Sequence, residues 1–311
     1  MESIGSLWLY VVFFGIVIVM LLVDFLGFKQ KQNQDVSINQ AAYWSVAWVT
    51  VAMLFGGGLW LYLQQTAGVA LANQKAMEYF AGYLLEKSLA IDNVFVWLMI
   101  FAAFAIPPML QRKILLYGVL GAIVLRTIFI FIGAWFVQEF SWVLYIFGAF
   151  LVYTGFKFLK GQDEDTNIED NALLKWLRKH MRITPQLHDN QFFVRQNGLL
   201  WATPLFLVLI LVEASDVIFA VDSIPAIFAV TSDPFIVLTA NLMAILGLRA
   251  MFFLLAGAAT KLHYLPYGLG IILLFIGAKM LLLDVFHMPI WISLGFIVLV
   301  LSITAYLSLR H

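Results

Sequence analysis

The chain alternates long apolar runs with short polar breaks, and the runs have the length of bilayer-crossing helices. They lie near 7–28, 41–63, 79–104, 114–136, 141–159, 199–230, 235–259, 264–283 and 288–308. A helix of about 20 apolar residues crosses the hydrocarbon core of a membrane. The pattern predicts an all-α polytopic membrane protein, with nine transmembrane helices in a single transmembrane domain over 1–311. The first run has no positive segment before it and reads as a retained helix, not a cleaved signal. The break at 161–198 is the one sizeable polar stretch. It opens acidic, with Asp163, Glu164, Asp165, Glu169 and Asp170. Ala172 to Arg182 then reads as a short basic amphipathic helix resting on the inner leaflet. A metal-sensing role for these acids with His188 is the alternative to a solvated connector.

Composition narrows the class. The 311 residues are 63% hydrophobic and 12% charged, where a soluble domain carries about 25% charged residues. Net charge is zero, and no basic patch suits nucleic acid. Cations crowd one set of breaks: Lys29, Lys31, Arg112, Lys113, Lys157, Lys160, Lys175, Arg178, Lys179, Arg182, Arg195, Lys261 and Arg310. The other set offers Lys75 as its loop cation. The positive-inside rule then puts the N-terminus outside and the C-terminus in the cytoplasm. There is no cysteine, which excludes disulfides, thiolate metal sites and thiol redox chemistry. The five histidines fall in breaks or at segment ends, so a metal site within the membrane has to be built from oxygen.

The chain also repeats itself. Glu86-x-Ser88 matches Glu213-x-Ser215, Ala-Ile-Val-Leu-Arg126 resembles Ala-Ile-Leu-Gly-Leu-Arg249, and Gly148-x6-Gly155-x-Lys157 matches Gly270-x6-Gly277-x-Lys279. The copies, 79–160 and 199–284, each hold three spans. Three is odd, so they insert in opposite senses, a 3+3 inverted repeat like that of many transporters. The spans at 7–28, 41–63 and 288–308 stand outside it. Gly56-Gly57-Gly58 reads as a close helix-packing site.

Five carboxylates lie inside apolar runs: Glu86, Asp92, Glu213, Asp216 and Asp222. Each costs roughly 2.5–3.5 kcal/mol at a helix centre, and chains that carry such groups use them for ions, protons or substrate. Glu213 and Asp216, three apart, share a helix face. Asp222 is half a turn round from Glu213 at 100° per residue. Pro225 predicts a break or kink that swings Asp222 towards the others and frees a carbonyl such as that of Val221. With Asn93 the set is all oxygen, the preference of hard divalent cations. Ser88 and Ser215 read equally as extra ligands or as helix–helix hydrogen bonds. Lys87, Arg126, Arg249 and Lys279 are the candidate counter-charges. Arg126 and Arg249 recur in the repeat and read as structural partners of the acids. Asp24 reads as interfacial.

At these residues the sequence resembles the TerC family. Glu86-Lys-Ser-Leu-Ala-Ile-Asp-Asn-Val-Phe-Val-Trp97 and Glu213-Ala-Ser-Asp-Val-Ile-Phe-Ala-Val-Asp-Ser-Ile-Pro-Ala226 are similar to its two signatures. The likeness runs from the second span to the last. It implies a bacterial inner-membrane protein linked to manganese export, with kinship to LysE-type transporters and ties to tellurite resistance and to metal supply for exported enzymes. It maps the family's acids onto Glu86, Asp92, Glu213, Asp216 and Asp222. Some family members are called redox modulators, a label this cysteine-free chain gives no chemical support.

The expectation is a secondary transporter that exports Mn2+, the transported ion and not a prosthetic group, against protons. Glu86, Asp92, Asn93, Glu213, Asp216 and Asp222 would bind it. The residues themselves say only "hard cation"; manganese comes from the resemblance. The chain is not expected to be an enzyme: the Gly-x-Gly-Asp motif of intramembrane aspartyl proteases, His-Glu-x-x-His and a phosphate-binding Gly-x4-Gly-Lys-[Ser/Thr] loop are all missing. The rival is a partner module without flux of its own, supplying metal to a secretion machine through the 161–198 loop.

Overall fold

The computed structural model describes residues 3–27, 37–140, 142–160, 172–196, 198–256, 264–282, 284–285 and 288–310. The side chains of residues 92, 172, 265, 309 and 310 are also outside the description. The described chain is a bundle of helices with one small hairpin. The helices are α1 (Leu7–Gly27), α2 (Ile38–Thr66), α3 (Val69–Ala103), α4 (Pro108–Glu139), α5 (Val143–Lys160) and α6 (Ala172–His180). Strands β1 (Phe193–Gln196) and β2 (Leu199–Ala202) follow, paired antiparallel with Val194 opposite Trp201. Then come α7 (Pro204–Phe228), α8 (Pro234–Leu246), α9 (Leu248–Ala256), α10 (Leu265–Leu281) and α11 (Ile290–Arg310).

Local chemistry sets the helix starts. Ser37 accepts a hydrogen bond from Gln40 N ahead of α2, and Asp233 accepts one from Phe235 N ahead of α8, satisfying amides that an N-terminus leaves open. Prolines at the first helical positions open α4, α7 and α8, where a missing N–H does no harm.

Six helices, α1, α2, α4, α5, α7 and α11, are long and apolar enough to cross a membrane, and a seventh span arises if α8 and α9, bent by 42°, are taken together. The chain is thus a multi-pass, all-helical membrane protein. The two remaining predicted spans coincide with α3 and α10. The α3 helix is 35 residues long but carries Lys75, Glu78, Glu86, Lys87 and Asp92, so its charge takes it out of a hydropathy count. The α10 helix has 17 residues.

Several expectations are corrected. The span expected from 199 begins at Pro204, because Leu199 to Ala202 form β2. Lys75 is not a loop cation: it lies in α3, 5% exposed, bonded to Glu78 Oε2 (2.9 Å) and near Asp233 Oδ2 (3.3 Å). No break occurs at Pro225, and α7 runs through it to Phe228. Pro225 sits in the last turn, where one missing hydrogen bond leaves little helix beyond it to disturb. The break falls instead at Gly247, between α8 and α9. Of the glycine triplet, Gly56 packs beneath Phe80 and Tyr79, whereas Gly57 and Gly58 face open space.

The core is centred on α8, all 13 of whose residues are buried, as expected for a helix apolar on every face. It packs against α1, α3 and α4. A second cluster joins α3 to α5, α10 and α11. There α5 and α10 cross through their repeated glycines: a Cβ on Gly155 would lie 2.9 Å from the Gly270 carbonyl oxygen, and one on Gly277 2.8 Å from that of Gly148. Small residues let backbones approach closely in lipid, where helices gain little from hydrophobic burial against each other.

The connector between α5 and α7 is pinned to the bundle. Leu174 and Leu177 of α6 join the core while Trp176 faces outward. Lys113 Nζ donates to the Asn190 carbonyl and stands 4.3 Å from the Phe192 ring centroid. His188 Nδ1 lies 3.0 Å from the Gln186 carbonyl, so it is engaged within its own loop. Residues 163–170, the acids proposed to sense metal with it, lie outside the described residues.

Candidate functional site

The predicted acids are carried by two long helices, α3 and α7, facing α4. Their centre is Arg126 of α4, 1% exposed. Its Nε donates to Asp216 Oδ2 (3.1 Å) and its Nη2 to Asp216 Oδ1 (2.8 Å), a bidentate fork that matches guanidinium to carboxylate. Its Nη1 reaches Glu86 Oε1 of α3 and Ser223 Oγ, the latter at 3.3 Å. Asn93 Nδ2, two turns along α3 from Glu86, donates to Asp216 Oδ1 (3.3 Å). Glu86, Asn93 and Asp216 are each at most 1% exposed.

Among these described site residues, three acceptor oxygens have no donor: Glu86 Oε2, Asn93 Oδ1 and Glu213 Oε2. Buried acceptors of this kind are rare, and each lost bond costs about 1–3 kcal/mol. Glu86 and Asn93 line a small chamber of about 10 Å3 together with Arg126, Ser223 and Asp222. Asp222 comes to it from the side of α5, where it accepts a hydrogen bond from Thr154 Oγ1 (3.2 Å). Asp222 also lines a larger cleft of about 400 Å3 between α5 and α7.

The remaining predicted residues are placed differently. Glu213 is half-buried one turn before Asp216, against Gly121 of α4, where a Cβ would overlap its carboxylate. Ser88 Oγ donates to Leu84 O (2.6 Å). Ser215 Oγ donates to Val212 O (2.7 Å) and accepts from Trp97 Nε1 (3.3 Å). Both serines therefore make hydrogen bonds within or between helices, and neither lines the chamber. The backbone of Asp92 is part of α3, but its side chain lies outside the described residues. Among the described residues, no three acid or histidine side chains are grouped closely enough to hold a metal. Among the described residues Arg126 stands between Glu86 and Asp216, bonded to both.

The candidate counter-charges also divide. Arg126 meets the acids, but Arg249 of α9 does not follow it: its Nη1 donates to Asp24 Oδ2 (2.5 Å), and Asp24 is 3% exposed. Asp24 is therefore a buried ion-pair partner. Lys87 Nζ donates to the Ala244 carbonyl (3.1 Å), an acceptor near the α8–α9 break. Lys279 Nζ donates to Ser293 Oγ (3.1 Å). Sequence reasoning missed Ser223 and Thr154. Ser223 follows Asp222 directly, and Thr154 lies three residues before Lys157, so both were within reach of the motifs. It also missed a second buried polar cluster at one end of the bundle. There Thr231 Oγ1 donates to Glu78 Oε2 (2.6 Å), and Ser3 Oγ to Asp233 Oδ1 (2.7 Å).

The sequence model of the family described as "Integral membrane protein TerC family" matches residues 71–311. The chain belongs to the TerC family. The matched TerC region starts inside α3, so α1 and α2 precede it. Similarity to individual TerC relatives nevertheless extends through both. The chain is 58% identical over 308 residues to the "Putative membrane-bound redox modulator Alx" of Photorhabdus laumondii, covering 99% of this chain and 96% of that one. It is 55% identical over 315 residues to the protein of the same name from Escherichia coli K12, covering 100% and 98%. It is 44% identical over 312 residues to the "Uncharacterized membrane protein STKORF319" of Myxococcus xanthus, covering 99% and 95%. No solved structure matches the chain.

Proposed function

We propose that this TerC protein is a nine-span secondary transporter, a 3+3 inverted repeat in a bacterial inner membrane, exporting Mn2+ from the cytoplasm in exchange for protons. Its N-terminus is outside and its C-terminus cytoplasmic. The observation that carries the reading is the chamber: buried carboxylate and amide oxygens without donors, facing Asp222 across a space the size of one small ion. Glu86, Asp216 and Asp222 with Glu213 outnumber the one guanidinium, so the site is short of positive charge. In this arrangement Arg126 stands in for the cargo. An arriving divalent cation takes Glu86 and Asn93 from one side and Asp222 from the other, and Arg126 retains Asp216. When the ion leaves, the carboxylates accept protons or return to Arg126. The pairing of α5 and α10 glycines, 148 with 277 and 155 with 270, supports the inverted repeat. Manganese is chosen within the hard-cation class by the family resemblance.

The redox label on the relatives favours a second reading, a modulator or metal-supplying partner of secretion without flux. No cysteine is available to it. Mn2+ uptake into inside-out proteoliposomes under a proton gradient separates the two. We expect uptake by the wild type and its loss in Asp222→Ala. Wild-type protein that binds secretion components but moves no Mn2+ would instead place it with the partner proteins.

A further inference from the structure

Two spaces meet at three side chains. The chamber holding Glu86, Asn93 and Arg126 and the cleft between α5 and α7 share Phe158, Phe219 and Asp222 in their walls. Phe158 is 9% exposed and joins the second core cluster. On the cleft side, Tyr153, Thr154 and Lys157 put three polar groups on neighbouring positions of α5, and Thr154 holds Asp222. Lys157 lines the cleft together with Asp222. The cleft, about 400 Å3, has room for a hydrated ion; the chamber, about 10 Å3, holds about one water. A divalent cation passing between them has to shed its waters. The two phenyl rings offer no oxygen to replace those waters, and apolar constrictions of this kind close by dewetting. Among the described residues, Asp222 is the one carboxylate bordering both spaces.

We propose that Phe158 and Phe219 form the gate between a water-filled cleft and the acid chamber, and that Asp222 takes the cation from its hydration shell and passes it inward. The inference rests on the transport reading for its cargo, but the gate itself is a statement about water access. Phe219 and Phe158 are positioning residues; they touch the route and not the bound ion.

Because the chain has no cysteine, single cysteines report access directly. The full-length protein in proteoliposomes is treated with the charged methanethiosulfonate reagent MTSET. Tyr153→Cys, 68% exposed in the cleft wall, is expected to react. Ala90→Cys, 1% exposed in the chamber wall, is expected to be protected. Adding Phe219→Ala should raise the Ala90→Cys rate by about tenfold or more, the shift produced by a tenfold larger open population. Phe219→Leu, which keeps the bulk, should not. Phe158→Ala gives the same comparison if Phe219→Ala does not yield monodisperse protein. An inert Tyr153→Cys would mean the cleft is filled by lipid and would overturn the proposal. Equal labelling of Ala90→Cys with and without the rings would overturn it too. The expected labelling in a protein that moves no Mn2+ would remove the cargo and leave the gate.

Discussion

Arg126 and Arg249 occupy matching places in the two copies of the sequence repeat and do different things. Arg126 neutralises Glu86 and Asp216 at the heart of the bundle, while Arg249 is bonded to Asp24 of α1, outside both copies. The difference traces to one residue. Counting from the shared Ala-Ile, Arg126 comes four residues after Ala122, but Arg249 comes five after Ala244, with Gly247 added between. One added residue turns a helical side chain by 100°. Gly247 is also where α8 ends and the 42° bend begins. Arg249 meets Asp24 and not Glu213, whereas Arg126 meets Glu86. The α5 and α10 glycines show the opposite behaviour: there the copies have kept their spacing and meet each other. The matching glycine motifs meet each other, whereas the matching arginines meet different acids.

The sharpest way to break that contrast is to remove the arginines separately. Arg126→Met leaves two carboxylates buried without a counter-charge. Removing one partner of a buried pair costs about 3–5 kcal/mol, so this variant should sit at or above that range and lose monodisperse protein in detergent. Adding Glu86→Gln and Asp216→Asn should restore the fold. A stable Arg126→Met protein would remove Arg126 from the centre of the site.

Arg249→Met strands Asp24 alone and is expected to cost less, about 3 kcal/mol in thermal or denaturant unfolding. Asp24→Asn in the same chain should recover most of it, as a double-mutant cycle would show. Mn2+ flux should survive in the double variant. Its loss would mean that Arg249 reports on the site after all.

At the crossing of α5 and α10 the prediction is equality. Gly155→Ala and Gly277→Ala each place a methyl 2.9 or 2.8 Å from a backbone atom of the other helix. Backbone cannot step aside as a side chain can, so each should cost about 1–3 kcal/mol. Gly57→Ala, facing open space, should be neutral or stabilising by about 0.5–1 kcal/mol. A twofold difference between the two crossing variants would show that the symmetry is only approximate.

These comparisons also show what could be read before any coordinates. Hydropathy located the apolar helices, because length and composition alone demand them in lipid. It misjudged the run at 199, since Leu-Leu-Trp-Ala looks the same as a strand or a helix start. Asn197-Gly198 before it was a hairpin signal, and Gly198 adopts the positive φ (78°) of such a turn. Glu86, Asp216 and Asp222 stand out through the cost of their charge and Arg126 as a counter-charge, but which acids each arginine meets does not. Whether an acid meets Arg126 or Arg249 depends on helix phase across distant segments, and one glycine in α8–α9 reset it. Ser223 and Thr154 are ordinary polar residues whose importance lies only in what they touch.

A small effect on stability is also expected at Gly121, which faces Glu213. A Cβ there would overlap the carboxylate, as one on Gly155 would press on backbone, yet the consequences should differ. Glu213 is half-buried at the end of a flexible side chain, with Oε2 bonded to nothing, so it can turn aside. Gly121→Ala should therefore change stability by less than about 1 kcal/mol, partly offset by the helix propensity gained. The displaced carboxylate is the quantity of interest. If Glu213 draws the cation in the transport cycle, Gly121→Ala should raise the Mn2+ concentration for half-maximal flux while leaving Tm within a few degrees. Unchanged flux with unchanged stability would remove Glu213 from the route, leaving the site to Glu86, Asp216 and Asp222.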